Sequence, residues 1–400
     1  MNIGIFTDTY YPEINGVANS AYQLKKELEA RGNKVYVFTV SNPEVKKKES
    51  GVFRMKSLPF VLLKDRRMSY EFANRWIEKI KDLHLDIIHT QTEFAIGHVG
   101  RRAAKELNIP MVHTYHTIYE DYTHYLKIPG NQKLKGVVKA FSRYCCNKAD
   151  TVIVPTEKIK KLLNGYAVRR KIMVQPTGID MMKFAKTESK QVEQLKEKFH
   201  LTGDNHILIS IGRLSQEKNI EELIHFTKRL VQMDSMVRLL IVGSGPEEEK
   251  LSSLVREYKM EKNVIFAGAA DWKDIQNYYA LGDIFVCASR SETQGLTYLE
   301  ALASGKPLLV RSDECLEGIL EDGKDGYSYS SEDEFLDGYQ KLFEQNMYLS
   351  MERTAKEYAS KISANKFGME IERIYRKTIC TVLPQKEGQE IYGQIHSIAG

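Results

Sequence analysis

Ser291-Glu292-Thr293-Gln294-Gly295-Leu296-Thr297-Tyr298-Leu299-Glu300, continued by Ala301-Leu302-Ala303-Ser304-Gly305-Lys306-Pro307, is the most informative stretch of this chain. It follows the apolar run Ile284 to Cys287 and reads as a strand end, a loop and a helix start, the unit from which parallel α/β sheets are assembled. Gly295 permits close backbone approach, and the unsatisfied amides of Gln294 to Thr297 are expected to point at an anion. A diphosphate suits such a seat. Glu292 lies in the loop while Glu300 lies a turn or more inside the helix, so the two carboxylates reach different parts of one ligand. The plain alternative is a pair of surface glutamates at a helix entrance. A second motif tells against it.

That motif is Gly212-Arg213-Leu214-Ser215-Gln216-Glu217-Lys218-Asn219, again at the end of a strand, Ile207 to Ile211. Arg213 and Lys218 place two positive charges where a departing diphosphate needs them, a role that a magnesium ion fills elsewhere. No Asp-x-Asp pair exists to hold such a metal, so none is expected. Around these motifs the pattern alternates: helix Ile220 to Leu230, strand Leu239 to Val242, helix Glu247 to Tyr258, strand Val264 to Ala267, and later strand Leu308 to Val310. Gly243-Ser244-Gly245-Pro246-Glu247 is a weak nucleotide-loop fragment without the full glycine fingerprint.

The first half has the same rhythm. Strands are expected at Ile3 to Phe6, Val35 to Val40, Ile87 to His89, Met111 to Tyr115, Thr151 to Val154 and Ile172 to Val174, with helices such as the one through Leu24 and Leu28 that ends at Gly32. Pro176 to Phe184 breaks the pattern and Lys186 to His200 is polar, so a domain boundary falls there. The expected architecture is α/β with two Rossmann-like, doubly wound domains facing across a cleft: 1–180, 181–365, and a segment 366–400 whose helix returns to the first domain before a tail. Ligands of open α/β sheets sit beyond the carboxyl ends of the strands. There, in the first half, lie Asp8, Tyr10, Asn15-Gly16 and Val112-His113-Thr114-Tyr115-His116-Thr117. His116 either hydrogen-bonds sugar or acceptor hydroxyls or is a satisfied core histidine. The loop after the first strand lacks G-x-G-x-x-G, which argues against a dinucleotide dehydrogenase.

Composition bounds the rest. At 400 residues, 42% hydrophobic, the chain exceeds one ordinary core and suits two. The longest apolar run, Leu58 to Leu63, is interrupted by Pro59 and falls far short of the ~20 residues of a spanning helix. Met1 leads directly into a strand pattern without a signal segment, so a cytoplasmic location is expected. Cys145, Cys146, Cys287, Cys315 and Cys380 lack C-x-x-C spacing and read as core thiols. The net charge of +5 is uneven: Lys127 to Lys171 carries many bases against only Asp150 and Glu157, so an anionic surface is a plausible partner.

Together, Glu292 and Glu300 in an E-x7-E motif, Arg213 and Lys218 in a G-R-x4-K stretch, the glycine loop at Gly16, and His116 resemble the GT-B retaining glycosyltransferases of family 4. The resemblance covers the whole chain. It implies that Arg213 and Lys218 bind the donor diphosphate, Glu292 contacts the transferred sugar, Glu300 the ribose, and Gly16 approaches the phosphate. Gln294 stands where many members have phenylalanine, beside Gly295 and Leu296 of the donor seat. A narrower likeness, to bacterial 1,2-diacylglycerol 3-alpha-glucosyltransferases, rests on four stretches: His89-Thr90-Gln91-Thr92-Glu93-Phe94, His113 to Thr117, Tyr119-Glu120-Asp121-Tyr122-Thr123-His124-Tyr125, and Ser291 to Leu296. It implies UDP-glucose as donor, diacylglycerol as acceptor, an α-glucosyl lipid as product, and peripheral work on the inner face of the cell membrane. No cofactor or nucleic acid is implied.

Physical patterning supports the membrane part. In Lys133 to Lys148, Leu134, Val137, Val138, Phe141 and Cys145 fall at helical spacing with Lys135, Lys139, Arg143 and Lys148 around them, as an interfacial helix requires. Arg54 to Lys64, with Arg66 and Arg67, is a second apolar stretch fringed by bases. An apolar stripe facing a domain core is the competing reading. Rival functions are transfer to another glycolipid or glycan, a sugar-nucleotide isomerase (epimerase) of the same shape, and a non-enzymatic nucleotide-sugar-binding scaffold.

Overall fold

The computed structural model describes residues 1–60, 63–121, 131–344 and 361–398. The chain forms two compact units, one of residues 1–178 with 364–400 and one of residues 179–363.

The first unit is built on a parallel sheet of β1 (Asn2–Phe6), β2 (Lys34–Val40), β3 (Val52–Met55), β6 (Ile87–Thr90), β7 (Met111–Thr114), β8 (Thr151–Val154) and β9 (Lys171–Val174). Their order is β3-β2-β1-β6-β7-β8-β9. Register is set by buried apolar rows such as Val35–Ile3–Ile87. Successive side chains alternate between faces, so the sheet is apolar on both. Ile3, Ile5, Val35, Val37 and Ile87 join Leu24 and Leu28 of helix Gly16–Ala30 and Ile371, Ile374 and Tyr375 of helix Ala364–Ile398 on one face. Phe6, Phe38, Val40 and Ile88 join Trp76, Ile77 and Val99 on the other. Helix Ala364–Ile398 is tied to the first helix by Arg31, whose Nε donates to Glu372 Oε2 at 2.7 Å. At Gly368 a Cβ would lie 2.6 Å from Glu27 Cβ, so a glycine lets the two helices close up.

β4 (Ser57–Phe60) and β5 (Leu63–Ser69) form a separate antiparallel hairpin. The apolar run around Pro59 is this hairpin, and Leu58 and Met68, paired across it, are exposed. Val61 and Leu62, and Tyr122 to Tyr125 with Lys127, lie outside the described residues.

The second unit repeats the design with β10 (His206–Ile211), β11 (Val237–Val242), β12 (Val264–Gly268), β13 (Ile284–Cys287), β14 (Leu308–Arg311) and β15 (Gly326–Tyr329). All are parallel, in the order β12-β11-β10-β13-β14-β15. Its two chain ends meet in a bridge between Ile179 and Ser363.

Four cysteines are buried, but Cys380 is exposed. The core-thiol reading therefore fails there, because Cys380 lies on a helix that buries only one stripe against the sheet. Among the described residues, no helix is long and apolar enough to cross a membrane.

Candidate active site

In the second unit the chain winds outward from β10 through β11 to β12 and in the opposite sense from β13 through β14 to β15. Loops leaving β10 and β13 therefore diverge to opposite faces and open a crevice at the carboxyl ends of the strands. Those loops, 212–219 and 288–295, are the two motifs picked out in the sequence. They are joined by backbone: the amide of Arg290 donates to Glu217 O at 3.0 Å. Lys218 Nζ then donates to Glu292 Oε1, with Lys218 half-buried and Glu292 buried. Arg213 is half-buried on the first of these loops.

A third loop supports the first. The amide of Leu214 donates to Ser244 O, and the amide of Glu247 to Leu214 O, both at 3.0 Å. A Cβ on Gly243 would lie 1.9 Å from Gly212 O, and one on Gly245 2.2 Å from Leu214 O. The Gly243-Ser244-Gly245 glycines are thus accounted for by backbone packing, which explains a nucleotide-like pattern that lacks the rest of the fingerprint.

Gly295 opens helix Leu296–Ala303 with φ 70° and ψ 56°, a left-handed conformation costly for other residues. A Cβ there would also lie 2.4 Å from the Tyr298 ring. Glycine offers no side-chain cap, so the first helical amides, those of Leu296 and Thr297, are left available to an external acceptor. Gln294 precedes them, buried. One turn on, Glu300 is buried and accepts from Tyr279 Oη at 2.8 Å. Burial pushes its carboxyl up to about 7 against the opposing pull of that hydrogen bond and of Lys183. Lys183 Nζ lies 3.2 Å from the Trp272 ring centroid and donates to Trp272 O, and burial draws its ammonium down to about 8.

In the first unit, Gly16 is exposed at the start of its helix, beside Asn15, whose Oδ1 accepts from the amide of Ala18 at 3.0 Å. Asp8 is committed locally: it accepts from Thr92 Oγ1 at 2.6 Å and from the amide of Ile96 at 2.9 Å. His116 lies just past β7, half-buried, with Nε2 2.6 Å from Gln91 Oε1. Burial, assisted by His113, lowers its pKa to about 3, so it is neutral at physiological pH. His113, by contrast, is a satisfied core histidine: Nδ1 is 2.8 Å from Thr90 Oγ1, Nε2 is 3.2 Å from Glu93 Oε1, and Tyr119 Oη closes on the other oxygen of Glu93. In the sequence, Gln91, His89 and Glu93 carry only a likeness; the fold brings Gln91 against His89 and His116, and Glu93 against His113.

Comparison with known proteins identifies the family. The Glycosyltransferase Family 4 model matches residues 14–183, and the Glycosyl transferases group 1 model matches residues 191–362. The chain is 37% identical over 390 residues to an alpha-monoglucosyldiacylglycerol synthase of Streptococcus pneumoniae, covering 97% of this chain and 88% of that protein. It is 34% identical to an alpha-monoglucosyldiacylglycerol synthase of Acholeplasma laidlawii, covering 84% and 86%. Among solved structures, Anabaena HepE in complex with UDP and glucose aligns with a TM-score of 0.76 at 17% identity, over 94% of this chain and 100% of that one. A sucrose-phosphate synthase from Thermosynechococcus elongatus aligns with a TM-score of 0.76 at 19% identity, over 95% and 99%. With this fold, these paired loops and these relatives, the chain belongs to the family 4 glycosyltransferases, enzymes of the GT-B fold.

Proposed function

We propose that the protein transfers glucose from UDP-glucose to diacylglycerol with retention, giving alpha-monoglucosyldiacylglycerol. The observation that carries the chemistry is the joining of loops 212–219 and 288–295 through Lys218 and Glu292 at the strand-order switch point. The lipid acceptor rests on the two synthases at 37% and 34% identity.

In this reading Arg213, Lys218 and the first amides of helix Leu296–Ala303 hold the diphosphate and stabilise the charge that grows as the sugar C1–O bond breaks. Gln294 and Gly295 shape that seat, Glu292 contacts the glucose, and Glu300 accepts from the ribose hydroxyls. The acceptor hydroxyl attacks C1 from the face the diphosphate leaves, and its proton passes to the departing phosphate oxygen. No enzyme base is required. His116 and Gly16 serve by orienting hydroxyls and admitting the phosphate. Fixed cationic side chains do the work of a metal ion, so turnover is expected to survive chelation by EDTA.

The acceptor would be met at an anionic membrane surface. On helix Asn131–Lys148, Val137, Phe141 and Tyr144 are exposed at helical spacing, with Lys135, Arg143 and Lys148 beside them. This outward stripe differs from the expected one, since Cys145 turns inward and is buried. Phe141 stacks on the exposed Phe94 at 6.0 Å, and Phe94 precedes helix Ala95–Glu106, which packs on β5 of the hairpin that exposes Leu58 and Met68. Exposed apolar side chains ringed by bases are what interfacial binding needs.

The test is UDP release from UDP-glucose with and without diacylglycerol in anionic micelles. Release that depends on diacylglycerol and is lost in Glu292→Ala supports the proposal; acceptor-independent turnover points to an isomerase, and release only with another glycolipid or glycan changes the acceptor.

A further inference from the structure

The three histidines near the carboxyl ends of β6 and β7 do not have equal standing. His89 is fully buried and engaged at both ring nitrogens, Nδ1 with Tyr375 Oη at 2.6 Å and Nε2 with Thr114 Oγ1 at 2.7 Å. His113 is engaged at both nitrogens as well. His116 has one bond, from Nε2 to Gln91, and among the described residues Nδ1 has no hydrogen-bond partner. A half-buried imidazole held at one nitrogen and open at the other is built to meet a ligand.

Gln91 decides which proton that imidazole carries. Its side chain is buried, with the amide nitrogen 3.2 Å from both ring nitrogens of His89 and the carbonyl oxygen turned to His116. An atom 3.2 Å from both ring nitrogens cannot lie in the ring plane without colliding with ring carbons, so the amide nitrogen lies over the ring. An N–H is attracted by that electron-rich face and a carbonyl oxygen is repelled, so the amide has one favourable orientation. The oxygen then offers His116 only an acceptor, and Nε2 must donate.

Resting on the reading of His116 as a site residue, we propose that Gln91 is a positioning residue that fixes His116 as the Nε2–H tautomer, so that Nδ1 receives a hydroxyl of sugar or acceptor. Tyr375 and Thr114 hold His89, His89 orients the Gln91 amide, and Gln91 sets His116. Desolvation supports the arrangement by keeping His89 and His116 neutral. A helix from the far end of the chain thereby reaches the site through three side chains.

The experiment is ¹⁵N-histidine NMR of the full chain, assigned with His116→Ala, combined with kinetics of Gln91→Leu and Gln91→Glu. The wild type is expected to show His116 as Nε2–H. Gln91→Leu should mix the tautomers and lower kcat roughly 10- to 100-fold, with little change in the KM for UDP-glucose. Gln91→Glu, which keeps an acceptor at the same place, should restore the tautomer and most of the turnover above neutral pH, while its added charge favours protonated His116 and introduces an acid limb. An Nδ1–H resonance in the wild type, or unchanged tautomer and kcat in Gln91→Leu, overturns the proposal, as does a Gln91→Glu variant no better than Gln91→Leu at any pH. Full turnover in His116→Ala removes the parent reading too; an inactive His116→Ala beside an unaffected Gln91→Leu removes this proposal alone.

Discussion

Tyr279→Phe removes the hydroxyl that donates to Glu300 in the proposed ribose site. Tyr279 is fully buried, with ring contacts to Phe184 at 5.8 Å and Phe285 at 6.0 Å, so phenylalanine keeps the packing. What is lost is the hydroxyl that donates to Glu300 at 2.8 Å and lies at 3.3 Å from Thr297 O, the neutral and longer contact of the two. A hydrogen bond to a charged acceptor contributes about 1.5–3 kcal/mol, or about one to two units of pKa. Glu300, already raised to about 7 by burial, should then titrate at roughly 8–9. At pH 7.5 its ionised fraction falls from about three quarters to between about a quarter and a few per cent. If the carboxylate is the form that accepts from ribose, kcat/KM for UDP-glucose falls about 3- to 25-fold at that pH. UDP release measured across pH 6 to 9.5 should show the acid limb displaced upward and the loss largely recovered at the alkaline end. The stability sign is opposite: a raised carboxyl pKa favours the folded state at low pH, and that contribution disappears as pH rises through about 7. A pH profile identical to wild type, or a loss that does not recover at high pH, refutes this reasoning.

Gly295→Ala combines a left-handed backbone with a Cβ 2.4 Å from the Tyr298 ring, so Tm of the second unit should drop by roughly 2–8 °C in differential scanning calorimetry, with weaker donor binding. Lys218→Met and Glu292→Gln should each lower kcat by roughly 10²–10³, and the double variant by much less than the product, since the two side chains act as one unit. Val137→Asp or Phe141→Asp should weaken binding to anionic vesicles about tenfold each in a sedimentation assay while leaving turnover on a dispersed short-chain acceptor intact.

Much of this molecule is readable from pattern. The central strands β1, β2, β6, β7, β8, β10, β11 and β13 are buried on both faces, and such strands leave short, nearly continuous apolar runs between helical stretches. The edge strands β3 and β15 and the hairpin β4–β5 were not anticipated. Val52-Phe53-Arg54-Met55, Gly326-Tyr327-Ser328-Tyr329 and a run carrying Pro59 and bases have no such signature, because one side meets solvent or charge. At the site, Lys218 and Glu292 were identified by motif, but their contact spans more than seventy residues and depends on β10 and β13 being neighbours. The interfacial helix was legible by period, yet the period alone could not tell which stripe faces out: Cys145 belongs to the core and Tyr144 to the surface. Tyr279 beneath Glu300 and Tyr375 beneath His89 lie far off in sequence and carry no local signal, and only the folded packing places them there.

The most direct test of the central claim is the structure of the product. Incubated with UDP-glucose and diacylglycerol in anionic lipid, the enzyme should yield a single glucosyl diacylglycerol whose anomeric proton in NMR reports the α configuration, and Glu292→Ala should yield none. A β-linked product, or release of free glucose with no glycolipid formed, contradicts the account.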